Sequence, residues 1–212
     1  SFGGGNFGND AAFEAAMLWL RKTCTQAEFF ALYANPAEAK TRLGLSGMAL
    51  RAHTRTIPRW LDTIMLRQPS LWMNWRESFR ALRGCDLLVV AGTGVIHDFR
   101  DRPWGWPSIF LRWMLAARVQ GTPAVLACVG AGPVINPLSR RMMKWCAELS
   151  AHRSYRDEDS RSYMSALGVD ERHSPVLADL AFILPAHPAE SSSRQNISVC
   201  IAPMNYRGWR RN

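Results

Sequence analysis

An α/β fold on a parallel sheet is what this sequence predicts, and three observations carry it. Short apolar runs alternate with amphipathic stretches of helical period along the chain. The run "LLVVA" within "CDLLVVAGTGVIHD" (85–98) is continuously apolar, as in a strand covered on both faces. Glycines at 92–94 and 130–132 follow apolar runs, so they are expected to turn the chain at the carboxyl edge of the sheet. That edge is where open α/β sheets bind ligands. Crossovers should be right-handed, with helices on both faces.

The elements follow in order. The chain opens "SFGGGNFGND". Such a glycine-rich segment ordinarily follows a strand and aims the next helix's N–H groups at an anion. Here no strand precedes it, so the chain is expected to be cut within its first βα unit. Asn9 to Lys22 has the period of a helix, capped by Asn9 or Asp10, with Phe13, Met17 and Leu20 on one face. "AEFFALYA" (27–34) reads as a strand ending at Asn35-Pro36, and "PAEAKTRLG" as a helix closed by Gly44. "SGMALRAH" is a weak strand. A helical pattern spans Pro58 to Leu82, with a break near Pro69.

After "LLVVA", "PSIFLRWMLAARVQG" (107–121) is a helix stopped by Gly121. "TPAVLACVGAGP" (122–133) is again a strand and glycine turn, followed by a helix from Pro137. "HRSYR" is a short strand. "DEDSRSYMSALG" is a capped helix ending at Gly168, and "SPVLADLAFIL" another short strand. The reading divides the chain into a Rossmann-like domain (1–184), a Pro/Ser-rich linker (185–195) and the start of a second, truncated domain (196–212).

Of the 212 residues, 48% are apolar, enough for a substantial core, yet no run is long and apolar enough to span a membrane. The five cysteines are scattered without a CxxC, which favours free buried thiols over disulfides or a metal site. The net charge of +9 favours anionic partners: phosphorylated small molecules, anionic lipid or nucleic acid. The cations are mostly arginine, which suits carboxylate and phosphate recognition; a GC-rich genome would give the same bias.

Taken in order, "GGGNFGND", "DLLVVAGTGVIHD", "GAGP", "SYRDEDSRSYMSALG", "LADLAF" and "SVCIAPMNYRGW" resemble the polysaccharide pyruvyl transferase family. The first is similar to its N-x-G-D loop, with Asn9 inserted. The second is similar to its strand and D-x-x-x-x-G-G-G-type loop, with Thr93 for the central glycine. The fourth is similar to its R-D-x-x-S helix start followed by L-x-x-x-G, and the fifth to its D-x-A-F turn. The resemblance implies two Rossmann-like halves arranged as in B-type glycosyltransferases, the second almost wholly missing. It implies transfer of a pyruvyl group from phosphoenolpyruvate to a sugar of a glycan or lipid-linked precursor. The product would be a cyclic ketal, made in bacterial cell-surface or exopolysaccharide biosynthesis. A cytoplasmic location, with or without membrane association, would follow. The resemblance implies phosphoenolpyruvate as the donor substrate, and neither a further cofactor nor a metal is expected.

That chemistry needs cations for the donor's carboxylate and phosphate, a general acid for its methylene carbon, and a base or oriented acceptor for the sugar hydroxyl. His97, at the end of "GTGVIH", is the catalytic candidate. Asp98 either orients it or starts a turn. Asn6, Gly8, Asp10, Gly94, His97 and Trp104 are candidates for acceptor binding, with Asn6, Gly8 and Asp10 equally readable as helix capping. Arg100, Arg102 and Trp106 crowd the same loop, as ligand contacts, as an exposed loop with tryptophan packed on the domain edge, or as contact with a membrane interface. Gly130, Gly132 and Pro133 form either an N–H cradle for phosphate or a tight turn. Arg156, beside Asp157 and Ser160, and Arg207 in the second half are donor-binding candidates. Asp179 reads as structural. The general acid is expected from the missing half, so residues 1–212 alone are expected to be inactive. Two alternatives stand beside this reading. One is a B-type glycosyltransferase using a sugar nucleotide. The other, suggested by net charge and tryptophans, is a non-catalytic module binding a membrane surface or nucleic acid; dispersed charge and the lack of a nucleic-acid motif rank it last.

Overall fold

The structure, a computed structural model, describes residues 7–33, 41, 44–51, 68–98 and 101–185. Helix α1 (Phe7–Thr23), strands β1 (Phe30–Tyr33) and β2 (Ser46–Ala49), helix α2 (Gln68–Leu82), strand β3 (Leu88–Ile96), helix α3 (Trp106–Gln120), strand β4 (Ala124–Ala131), helix α4 (Pro137–Glu148), strand β5 (His152–Tyr155), helix α5 (Glu158–Ala166) and a 3-10 turn (Leu180–Ile183) succeed one another. The 36–44 helix lies outside the described residues except for Thr41 and Gly44, as do residues 58–67 of the long helical stretch and the chain from 186 onward.

Strands β3, β4 and β5 form a parallel sheet in that order, so "LLVVA" and "AVLACV" are neighbours running the same way. The expected single sheet is corrected. β1 and β2 form their own parallel pair, and no ladder joins them to β3 among the described residues. Side chains carry that junction instead. Leu82, Trp113, Ala116 and Ala117 are buried against Leu32, Met48, Leu50 and Leu88. The buried Arg112 donates from Nε to Ser78 Oγ at 2.9 Å and from Nη2 to the Leu50 carbonyl at 2.5 Å. Its burial, and then Arg51 nearby, lower its pKa to about 10, so it remains a cation at neutral pH.

The main core joins the sheet to its crossover helices. Ile96, Leu126 and Val129 pack on Phe110, Met114, Met143, Cys146 and Met164. Helix ends follow sequence chemistry. Asn136 accepts from the N–H groups of Leu138 and Ser139, and Asp157 from that of Ser160. Gly121, at φ 73°, closes α3. Other expectations are corrected. Asn9 and Asp10 are not caps, because α1 begins at Phe7 and both lie in its first turns. The "SPVLADLAFIL" strand shrinks to one bridge, Tyr155 with Val176, after which Asp179 accepts from the Ala181 N–H and starts the 3-10 turn. Among the cysteines, Cys128 and Cys146 are free and buried as expected, but Cys24 is exposed; Cys200 lies outside the described residues.

The largest correction concerns the glycines. Gly92 and Gly94 do not turn the chain, since β3 runs through them to Ile96, with a register shift between Thr93 and Ile96. Gly92, at φ 35°, is needed for packing: a Cβ there would meet Ala12 Cβ at 2.9 Å and Leu180 Cδ1 at 3.3 Å. The small face of α1, with Ala12, Ala15 and Ala16 buried, therefore approaches the carboxyl half of β3.

Candidate active site at the carboxyl edge of the sheet

Two side chains that the sequence singled out meet at the end of β4. His97 follows β3, and its ring lies over Gly132, where a Cβ would come within 2.6 Å of His97 Cδ2. Arg156 follows β5, and its guanidinium lies over Gly130, where a Cβ would come within 2.8 Å of Nε. The two glycines are two positions apart, roughly 7 Å by strand rise, so both groups sit at one strand end. The glycines are thus seats for the His97 and Arg156 side chains rather than an anion cradle.

The backbone accounts for this. The Gly132 N–H donates to the Ile96 carbonyl at 2.9 Å, the Ala131 N–H to Ser160 Oγ at 2.8 Å, and the Val134 N–H to Tyr163 Oη at 2.8 Å. The N–H groups of Ile135 and Asn136 donate to Asp98 Oδ2 at 2.7 and 3.3 Å. A phosphate would find these donors taken, so the cradle reading of the "GAGP" loop is corrected. Ser160 is likewise a structural staple, buried between α5 and the end of β4.

Asp98, only 1% exposed, ties the exit of β3 to the entrance of α4. Its other oxygen, Oδ1, lies 3.7 Å from His97 Nδ1. Burial lowers the His97 pKa below its ordinary value more than Asp98 raises it. The imidazole is therefore neutral near pH 7, able to accept a proton or a hydrogen bond from a hydroxyl.

Arg156 donates from Nε to Asp157 Oδ2 at 3.2 Å, and its Nη1 lies 3.5 Å from Asp179 Oδ2. Asp179, read as structural from the sequence, caps the 3-10 turn and also holds this guanidinium. Burial raises the Asp157 pKa somewhat, but hydrogen bonds from Ser160 and Arg156 leave it below the usual carboxylate range. The contact to Asp179 is the longer of the two.

The remaining candidates separate. Gly94 faces open space, with nothing within 4 Å of a Cβ built on it. Gly8 and Asp10 lie in the first turns of α1, whose Ala12 touches β3 at Gly92. Trp104 is 75% exposed and Arg102 exposed, in the turn before α3. Trp106 is corrected to a structural role. Its indole N–H donates to the Val95 carbonyl at 2.9 Å, and its ring stacks on Phe110. Asn6, Arg100 and Arg207 lie outside the described residues. The described residues hold no cluster of metal ligands and no helix able to cross a membrane.

One feature escaped the sequence reading. Thr93, at φ 106°, and Cys128, at φ 51°, are the non-glycine residues with positive φ among those described. They fall within the register shifts of β3 and β4. Strained backbone in neighbouring strands, just before the edge that carries His97 and Arg156, is typical of functional sites. Thr93 in the central position of "GTG" was the available signal.

The polysaccharide pyruvyl transferase family model matches residues 6–210, nearly the whole chain. Searches of curated proteins and of solved structures find no match.

Proposed function

The chain belongs to the polysaccharide pyruvyl transferase family, and from that premise we propose that it moves the pyruvyl group of phosphoenolpyruvate onto two hydroxyls of a glycan or lipid-linked saccharide. The observation that carries this reading is the pairing of His97 and Arg156 on the glycine seats at the end of β4. A neutral base and a cation at one sheet edge are what the two substrates require.

Protonation of the donor's methylene carbon makes its C2 electrophilic. One sugar hydroxyl adds to C2 and gives up its proton; His97 is its acceptor in this reading. The C2–O bond to phosphate then breaks, phosphate leaves with the electron pair, and the second hydroxyl closes the ketal with loss of its proton. The sum is one phosphoenolpyruvate and one diol giving one ketal and one inorganic phosphate. Arg156 meets the donor's carboxylate or phosphate. Gly94, without a side chain and with open space before it, would let a bulky sugar approach the backbone, and Gly8, Asp10 and Trp104 are assigned to that sugar in this reading. Asn6 and Arg207 are assigned, on the family resemblance, to the acceptor and the donor.

The test is direct: phosphoenolpyruvate and a diol-bearing saccharide are incubated with the enzyme, phosphate release is followed, and the product is examined by NMR for a ketal methyl group. Phosphate released in step with ketal supports the reading. Transfer of a sugar from a nucleotide sugar, without consumption of phosphoenolpyruvate, would replace it with the glycosyltransferase alternative.

A further inference from the structure

The outer face of α4 has a composition that the reaction does not use. Leu138, Arg141 and Trp145 recur at spacings of three and four and so share one exposed face. Ile135, just before the helix, is 63% exposed, and Leu138 and Trp145 are 40% and 45% exposed. The Arg141 guanidinium lies 5.8 Å from the centre of the Trp145 ring. Arg140 and Lys144 widen the basic side of this face. The opposite side of the helix, with Met142, Met143, Cys146 and Ala147, is buried in the core. Helix α3 packs beside α4, and both begin at the carboxyl edge, so the exposed Trp104 before α3 extends the same rim.

We infer that this face, from Ile135 to Trp145, docks the protein on an anionic lipid bilayer. Several observations favour lipid over another partner. The face is a convex helix, so it offers no groove for a peptide. Its apolar side chains lie beside arginine and lysine, which lets indole and leucine enter the acyl boundary while the cations remain among head groups. One acid shares the face: Glu148, at the far end of α4, lies 3.7 Å from Lys144 and offsets its charge, so Arg140 and Arg141 are the cations left to meet head groups. The chain's +9 charge supplies the long-range attraction. Docked this way, the rim would bring the end of β4 near the bilayer, within reach of a head group carrying a saccharide. The docking itself does not depend on the reaction proposed above.

The experiment is flotation of the protein with phosphatidylcholine vesicles, with and without phosphatidylglycerol, at low and raised salt. Neither donor nor acceptor is present, so failure here and failure of the transferase reading are told apart. Binding is expected only with phosphatidylglycerol and should weaken with salt. Arg141→Glu with Lys144→Glu should weaken it about tenfold or more. Leu138→Ser with Trp145→Ser should release the protein at raised salt, where electrostatic attraction alone fails. All four residues lie on the outer face, and circular dichroism checks that each variant folds. Equal binding to vesicles lacking phosphatidylglycerol, or wild-type binding by both double variants, would overturn the inference. So would a soluble dimer that dissociates on the Leu138 and Trp145 changes without any vesicle binding, because that face would then join two copies.

Discussion

At the scale of single residues, the site rests on two missing side chains. A methyl group at Gly132 would press on the His97 ring, whereas one at Gly94 meets open space. Gly132→Ala is therefore expected to displace His97 and lower kcat by tenfold or more, while destabilising the fold by about 1 kcal/mol. Gly94→Ala should leave the thermal midpoint unchanged and raise the acceptor KM, as a direct obstruction would. Kinetics and melting on both variants separate packing from ligand approach. Asp179→Asn should loosen the hold on Arg156 and tighten donor binding by up to about fivefold in calorimetry. His97 also predicts a pH effect. Its folded pKa lies below the ordinary 6.5, so the unfolded chain binds the proton more readily. Stability therefore falls as pH drops through 6.5 and levels off below the folded pKa. Between pH 8 and 5, wild-type protein should lose more in melting temperature than His97→Asn. The sequence made His97 and Arg156 visible because both follow strands. It could not reveal their seats, since Gly130 and Gly132 look like any turn until β3 and β5 flank β4.

At the scale of elements, Asp98 carries most of the explanation. It is buried and holds the first N–H groups leading into α4, so the ends of β3 and α4 move as one. Asp98→Ala should cost about 2–3 kcal/mol in urea unfolding, because two N–H groups lose a charged acceptor inside the fold. The residue was legible only as a turn former or a partner of His97, because its main partners lie 37 and 38 positions away. Helix caps were more legible: Asp157 and Gly121 act within a few residues of themselves. Asn9 and Asp10 misled because a helix can begin before its most polar residues. "GTG" misled for another reason. Its glycines serve the close approach of α1 and the bulge of β3, and both are tertiary demands.

At the scale of the molecule, the parallel order β3-β4-β5 makes one edge of the sheet chemically distinct. Apolar continuity in "LLVVA" and "AVLACV" foretold that sheet, since strands covered on both faces cannot alternate with polar residues. The separation of β1 and β2 was not foretold, because ladder partners leave no mark on local pattern. In the proposed reaction the acceptor binds at the carboxyl edge of the sheet, with His97 facing its hydroxyl. Steady-state kinetics on His97→Ala, with phosphoenolpyruvate and the saccharide varied in turn and donor binding measured by calorimetry, tests it most directly. The account predicts a loss of a hundredfold or more in kcat/KM for the acceptor, on the scale of a lost general base, with the donor Kd unchanged. Untouched acceptor kinetics, or loss of donor binding instead, would contradict it.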